Sequence, residues 1–392
     1  MDVARFKASP LGHVVRLAGV DGRTRRPYEH WAYVADPLAA EPPLGGAAWR
    51  AVARAGHALG RLEQAGRQMP EPALLRRPTL RREAQSTSAL EGTFAPLEDV
   101  LEAEWGTGGT SAELAEVLNY VDAAEQAFAW VGEGRPLTVG LVCQLHRTLV
   151  RGTAADTDDA GRVRRVPVAI GGRDAGLEAS RFVPMPQGAA LEASVHDLVR
   201  WMELPDLDRD PVVAAAMGHY QFETLHPFND GNGRLGRLLV VLHLMRARII
   251  HEPLLSVSPW FEARRRDYQE HLAEVSATGD WNAWVHFFAT GLEASALDTA
   301  RRVHDLLDVE QDYLRRVSDA GLSGLAETIA RGLVAAPFVR VARLSEATGR
   351  TYQATNTAVA RLVELGVLRE SPGQGRGRRF VADAVVEVLT GR

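Results

Sequence analysis

Residues His226-Pro227-Phe228-Asn229-Asp230-Gly231-Asn232-Gly233-Arg234-Leu235-Gly236-Arg237 decide how this chain is read. The stretch before them, Pro211 to Leu225, carries Val213, Ala216, Met217, Tyr220 and Leu225 at the spacing of a buried helix. Pro227 disfavours a helical conformation at His226, so that helix is predicted to stop there and present His226 at its end. Gly231 and Gly233 admit backbone angles that other residues avoid. Beyond them, Leu235, Leu238, Leu239, Val240, Leu242, Leu244 and Met245 predict a strongly apolar helix whose first turn is Gly233 to Gly236. Free N–H groups at a helix N-terminus favour an anion such as phosphate. Arg234 and Arg237, three apart, share a face, and guanidinium groups match phosphate oxygens in a bidentate way. Asp230 is a hard oxygen donor suited to a Mg2+ ion that arrives with phosphates. His226 belongs to the side-chain type that titrates at about 6.5 and can take a proton from a hydroxyl at neutral pH. Taken singly, a histidine after a helix is a cap, Gly-Asn-Gly a turn and two helical arginines solvated. Together in one run they point to an enzyme acting at a phosphate. No Gly-Lys-Ser or Gly-Lys-Thr is present in the run, so it is not a Walker phosphate loop.

The run fills every fixed position of the Fic family motif, His-Pro-Phe-x-[Asp/Glu]-Gly-Asn-Gly-Arg-x-x-Arg, and so resembles that family. The resemblance implies a mainly α-helical fold: a Fic-type helical core with a small β-hairpin flap. It implies nucleotidyl transfer, most often of AMP from ATP to a Ser, Thr or Tyr hydroxyl of a protein. By the same resemblance His226 deprotonates the target hydroxyl and Phe228 anchors the loop. Asp230 binds the Mg2+ that bridges the α- and β-phosphates. Asn232, with the backbone at Gly231 and Gly233, cradles phosphate oxygens. Arg234 supports the phosphate site and Arg237 binds the γ-phosphate. Charge placed where phosphoryl charge develops is then the expected dominant catalytic effect.

Upstream lies Thr87-Ser88-Ala89-Leu90-Glu91-Gly92. Leu80, Ala84, Thr87 and Glu91 step by three or four, which predicts a helix, and Gly92 is its expected stop. Thr87 and Glu91, at i and i+4, project from one face. A last-turn glutamate is mildly unfavourable against the helix dipole, which a cationic partner would relieve. The segment resembles the Fic inhibitory pattern [Ser/Thr]-x-x-x-Glu-[Gly/Asn]. That resemblance implies that Glu91 pairs with Arg237, occupies the γ-phosphate position and represses the enzyme. In some relatives the same glutamate supports removal of AMP, and that activity is left open here.

Residues Gly161 to Gly172 and Arg181 to Pro186 read as two short strands around a loop, since Val166, Val168 and Ile170 alternate and Gly171-Gly172 is a turn signal. The family resemblance makes this the flap, with Val168 and Ile170 docking the target segment by backbone pairing. Trp260 to Leu272 resembles the helix beside the adenine, with Tyr268 on the adenine side. Arg264 and Gln269 depart from the Asn and second Tyr expected there.

The 392 residues are 46% hydrophobic and 24% charged, as in a soluble globular protein of two or three domains. The apolar run Leu238 to Leu244 is too short for the ~20 residues that span a bilayer. No secretory signal is recognised at Met1 to Lys7, and a single cysteine, Cys143, makes no internal disulfide, so a cytoplasmic location is expected. Cys143 reads as a buried apolar residue. The net charge of −5 argues against nucleic-acid binding by the chain as a whole, and Lys7 is the only lysine.

Three regions are expected. Residues 1–110 form an N-terminal helical extension that begins with loops and a short strand pair and carries the inhibitory helix. Residues 111–305 form the Fic core, and 306–392 a winged helix-turn-helix. In the last region, Arg350, Thr351, Gln353, Asn356 and Arg361 could face a DNA groove, and Arg376, Arg378 and Arg379 a phosphate backbone. Such domains also serve as protein-contact modules. Two function classes follow. One is a protein adenylyltransferase using ATP and Mg2+ on a target protein or on itself, repressed by Glu91 and dimeric by family resemblance. The other is a DNA-binding regulator in which the Fic core is a nucleotide-dependent switch. Within the first, other donors that transfer UMP, phosphocholine or phosphate remain open, though the complete Gly-Asn-Gly-Arg-x-x-Arg favours a triphosphate.

Overall fold

The computed structural model describes residues 1–20, 27–38, 41–67, 72–103, 111–171, 180–203, 209–371 and 378–391. The elements run α1 (Val3–Phe6), β1 (Gly12–Val20), β2 (Pro27–Ala35), α2 (Gly46–Arg67), α3 (Pro72–Glu91), α4 (Leu97–Glu102), α5 (Ala112–Gly132), α6 (Val139–Val150), α7 (Ala189–Glu203), α8 (Pro211–Leu225) and α9 (Asn232–Arg246). They continue with α10 (Ser258–Glu262), α11 (Arg265–Thr278), α12 (Trp281–Asp319), α13 (Leu325–Gly332), β3 (Phe338–Arg340), α14 (Val341–Thr348), α15 (Tyr352–Glu364), β4 (Arg369–Ser371), β5 (Arg379–Val381) and α16 (Asp383–Thr390). The fold is therefore mainly helical, as expected.

The chain forms two compact units that interleave its segments. The first holds Met1–Leu59, Asp122–His251 and Trp260–Ala294, and the second Gly60–Val121, Glu252–Pro259 and Ser295–Arg392. The boundary expected at residue 305 falls inside the long helix α12, and that expected at 110 lies outside the described residues.

In the first unit α8 is buried almost along its whole length, which explains why its sequence is apolar on every side. Asp210 caps its start by accepting from Val212 and Val213 N–H at 2.8 and 3.3 Å. Helix α9 packs on α8 and is buried from Asn232 to Leu244, and Gly236 permits the close approach. A Cβ there would stand 2.5 Å from Glu223 Oε1 and 3.1 Å from Phe222 Cδ1. Trp284 on α12 donates to the Ala216 carbonyl at 2.9 Å, anchoring that helix to the middle of α8. Trp260 to Leu272 is broken at Arg264 into α10 and α11; Arg264 leaves helical geometry and its guanidinium lies 4.5 Å over the Trp260 ring.

The regular hairpin of this unit is the antiparallel pair β1–β2, in register from Gly12↔Ala35 to Val20↔Pro27. The flap departs from its expected two strands. Among the described residues of the flap, only Ile170 and Phe182 form an antiparallel bridge, with Ile170 N–H donating to Phe182 O at 2.8 Å and Phe182 N–H returning to Ile170 O at 3.2 Å. Val166 and Val168 lie outside that ladder, and 172–179 lie outside the described residues. The returning limb pairs instead with β2, where Tyr33 N–H donates to Val183 O at 2.9 Å. Phe6, Tyr33 and Phe182 pack into a small core with tilted and edge-on rings, centroids 5.6 to 5.7 Å apart. Cys143 is half-buried rather than buried.

In the second unit α3 ends as its sequence predicts. Gly92 has φ 94°, and Thr93 N–H donates to Ser88 O at 3.0 Å to close the end. Residues 80–90 are mostly buried, so α3 is not a solvated surface helix. Glu83 is buried and accepts from Ser256 Oγ and Ser258 N–H, both at 2.9 Å, and Arg82 pairs with Asp298 at 3.1 Å. Among the described residues, the C-terminal elements include one antiparallel sheet in the order β3–β5–β4. Arg376 lies outside the described residues.

Candidate active site

The turn between α8 and α9 brings His226, Asp230, Gly231, Asn232, Gly233, Arg234 and Arg237 together. His226 caps α8 in the left-handed region at φ 48°, ψ 62°, a conformation uncommon for a residue with a Cβ. Pro227 rules out continuing the right-handed helix through His226, and the His226 N–H still closes the last turn by donating to Phe222 O at 3.0 Å. The imidazole Nδ1 stands 3.3 Å from the carbonyl of Glu223. A carbonyl only accepts, so Nδ1 carries a hydrogen, and in the neutral imidazole Nε2 keeps its lone pair. The tautomer of the neutral ring is therefore set by the helix end itself.

Gly231 starts α9 with φ 76°, the positive angle expected of it. Gly233 is already inside the helix and needs none, which corrects the expectation that both glycines use that freedom. Asp230 Oδ1 accepts from Gly231 N–H at 2.6 Å, and the carboxylate is 41% exposed. Arg234 reaches Asp230 at 3.8 Å. Both Arg234 and Arg237 are 1% exposed. They are core guanidinium groups at the foot of a helix N-terminus, not a solvated pair.

Asn232 departs from its expected role. Its Oδ1 accepts from Phe228 N–H at 2.9 Å and its Nδ2 donates to Phe228 O at 2.8 Å, while the residue is 1% exposed. The amide thus clamps the backbone of the turn, and its polar atoms face Phe228 rather than a ligand. Phe228 is fully buried, as its anchoring role requires.

Two residues that hold the turn were not singled out from the sequence. His146 on α6 stacks flat on Phe228, centroids 3.9 Å apart and rings at 7°. Its Nδ1 accepts from Gly161 N–H at 2.9 Å, so its Nε2 carries the hydrogen and donates to the Asp230 carbonyl at 3.0 Å. Burial pulls this imidazole down to about 4, which keeps it in that neutral tautomer. Arg164 is also 1% exposed. Its Nε donates to His226 O at 2.8 Å, and its terminal nitrogens donate to Val166, Met185 and Leu225 carbonyls at 3.2, 2.6 and 3.4 Å. Burial lowers its pKa to about 10, so it remains a cation at neutral pH.

The remaining candidates lie apart from the turn. Val168 and Ile170 are half-exposed on the flap. Tyr268 is buried in an aromatic cluster with Phe261, His219 and Trp284, and its hydroxyl lies 2.7 Å from His219 Nε2. Its ring and hydroxyl are thus engaged in the core. Gln269, one residue on, accepts from Arg181 of the flap at 3.1 Å. Thr87 is fully buried and Glu91 half-buried at the end of α3, in the second unit. No group of three His, Cys, Asp or Glu that could hold a metal ion occurs among the described residues. A lone exposed carboxylate such as Asp230 nevertheless fits an ion that brings its other ligands on phosphate oxygens and water.

The chain matches the model described as Fic/DOC family N-terminal over residues 49–129, and that described as Fic/DOC family over residues 136–244. It is 32% identical over 160 residues to protein adenylyltransferase fic-1 of Caenorhabditis elegans, covering 41% of this chain and 28% of that protein. It is 29% identical over 208 residues to protein adenylyltransferase Fic of Drosophila ananassae, covering 52% of this chain and 38% of that protein. The chain thus spans little more than a third of these relatives at most. Its fold is like that of a Fic family protein from Desulfovibrio desulfuricans G20, with a TM-score of 0.57 at 23% identity, over 88% of this chain and 98% of that one.

Proposed function

We propose that the chain, whose residues 49–129 and 136–244 match Fic/DOC family models, is a Fic-type protein adenylyltransferase that moves AMP from ATP to a hydroxyl side chain of a protein. The observation that carries this reading is the His226 imidazole, whose Nδ1 is held at the Glu223 carbonyl, which in the neutral ring makes Nε2 the basic nitrogen. It stands in the same turn as a helix N-terminus with two buried arginines. In the reaction, Nε2 of His226 takes the proton of the target hydroxyl as its oxygen bonds to the α-phosphorus. The bond from that phosphorus to the bridging oxygen breaks, and pyrophosphate leaves with the electron pair. The N–H groups at the start of α9, with Arg234 and Arg237, stabilise the charge on the phosphate oxygens. Asp230 would hold Mg2+, which supplies Lewis-acid charge at the phosphates when bound.

The flap around Ile170 would hold the target segment in extended form, and the target can be another protein or the chain itself. Glu91 would repress the enzyme by competing with the γ-phosphate for Arg237, a contest of one carboxylate and one phosphate for one guanidinium. Coupling of about 1–3 kcal/mol is usual for such switches. A homodimer is part of the reading, and light scattering tests it. The DNA-regulator alternative has less support. Arg378 is bound bidentately by Glu370 at 2.6 and 2.7 Å, and Arg379 is bound by Glu102 and Ser371. Arg361 pairs with Glu364 at 2.6 Å. Among the described residues no helix is long and apolar enough to cross a membrane.

The test is transfer of label from ATP labelled at the α-phosphate, with Mg2+ and a cell lysate. Wild type, Glu91→Gly, and Glu91→Gly with His226→Ala are compared. Label is expected on protein with Glu91→Gly, at a much lower level with wild type, and not with the double variant. Label undiminished in the double variant removes His226 as the base. Equal labelling by wild type and Glu91→Gly removes Glu91 as the brake. No label in any form moves the reading to another donor or to the DNA regulator.

A further inference from the structure

Among the described residues, Arg164 reaches the candidate active site through backbone carbonyls alone. Its guanidinium and its backbone N–H donate to five carbonyls on three segments. Leu225 and His226 carbonyls belong to the end of α8, and Pro227 O accepts from the Arg164 N–H at 2.8 Å. Val166 O belongs to the outgoing limb of the flap and Met185 O to its returning limb. A cation satisfying the last carbonyls of a helix is favoured by the helix dipole, which helps to offset the burial of this charge.

The geometry points to Arg164 as a positioning residue that registers the flap against His226. We infer that it sets where a peptide docked on the flap stands relative to the Nε2 of His226, and that it does so without touching nucleotide or target. This rests on the proposed transfer reaction and on the flap as its docking site. One rigid fork spans both limbs and the turn, so the limbs cannot shift by an ångström while the histidine stays. Lysine keeps the charge but offers three donors from a single nitrogen, and cannot reach carbonyls spread over three segments. Arg164→Lys therefore separates the charge from the tie.

The experiment uses the full chain carrying Glu91→Gly, with and without Arg164→Lys. Affinity for a non-hydrolysable ATP analogue is measured by calorimetry, transfer by α-phosphate label, and exchange of the Ile170, Arg181 and Phe182 amides by hydrogen–deuterium exchange. A misplacement of about 1 Å costs on the order of a hundredfold in rate. The expected result is transfer reduced on that scale, nucleotide affinity within about twofold, and faster exchange of the three flap amides. Transfer at the parent rate with flap amides equally protected overturns the inference, and so does a loss confined to nucleotide affinity. If Glu91→Gly itself transfers nothing, the functional reading fails, and flap exchange still decides whether Arg164 ties the flap. If Arg164→Lys does not fold, native-state exchange of the unsubstituted chain decides: Ile170 and His226 amides opening with one common free energy supports the tie, and independent openings refute it.

Discussion

Asn232 separates two accounts of the same motif. If its side chain cradled phosphate, Asn232→Ala would weaken nucleotide binding and leave stability nearly untouched. In the structure both polar atoms of the amide are engaged by Phe228, at 2.9 and 2.8 Å, in a site 1% exposed. Truncation to alanine removes both bonds and leaves the Phe228 N–H and carbonyl buried with those partners gone. An orphaned buried group costs about 1–3 kcal/mol, and two in one turn, with some relaxation, give a loss of about 2–4 kcal/mol. Asn232→Asp is the sharper variant, because it is nearly isosteric. It keeps the acceptor for the Phe228 N–H but sets a carboxylate oxygen against the Phe228 carbonyl where the amide donated. The loss is therefore expected to be at least as large as for alanine, although no volume is removed. Urea unfolding followed by tryptophan fluorescence measures stability, since Trp201 and Trp284 lie in the same unit. Calorimetric titration with an ATP analogue measures the site. Stability loss below about 0.5 kcal/mol together with a tenfold or greater loss of affinity would refute the clamp and restore the cradle.

Gly291→Ala brings a Cβ within 2.7 Å of Trp260 Cε3 and 2.9 Å of Cζ3, against a ring backed by Phe287 at 4.7 Å. Overpacking of about 1–3 kcal/mol outweighs the gain of about 1 kcal/mol from replacing a helical glycine, so unfolding should come easier by about 1 kcal/mol. A more stable variant in urea unfolding would contradict that packing. His146→Phe keeps a ring to stack on Phe228 but removes the partners of Gly161 N–H and Asp230 O. Stability should fall by about 1–3 kcal/mol, and transfer should fall with it because Asp230 loses its support; transfer at the parent rate would show that His146 does not position the turn.

The motif was legible because its chemistry is local. A proline stops one helix, a positive-φ glycine starts the next, and the histidine, carboxylate and arginines are fixed within twelve consecutive residues. The helices were legible for the same reason. The helix α8 runs from Pro211 to Leu225 as the apolar spacing requires. The flap was legible only in part. Alternation at Val166, Val168 and Ile170 says that a segment can be extended, but pairing depends on what lies beside it. In the fold the returning limb has β2 as a neighbour and makes a single bridge to Ile170. The surroundings of Tyr268 were not legible: the face it occupies on α11 is turned to an aromatic cluster from α8, α10 and α12 that no local pattern announces.

Arg164 and His146 show a deeper reason for the gap. Each contacts the turn between α8 and α9 across more than sixty residues of chain, and each does so through backbone carbonyls or the face of a ring. A carbonyl is present at every residue, so the acceptor leaves no mark in the sequence. Only the donor has an identity, and its sequence setting misleads. Arg164 sits in an arginine-rich run that reads as an exposed strand, and His146 in an apolar helix where a core histidine needs no explanation. Charged and titratable residues that act on backbone are thus invisible to motif reading, yet they fix where the motif's own side chains stand. The geometry of His226 is set as much by the Arg164 fork behind its carbonyl as by the proline beside it. A substitution at either donor would change the reaction with the motif left whole.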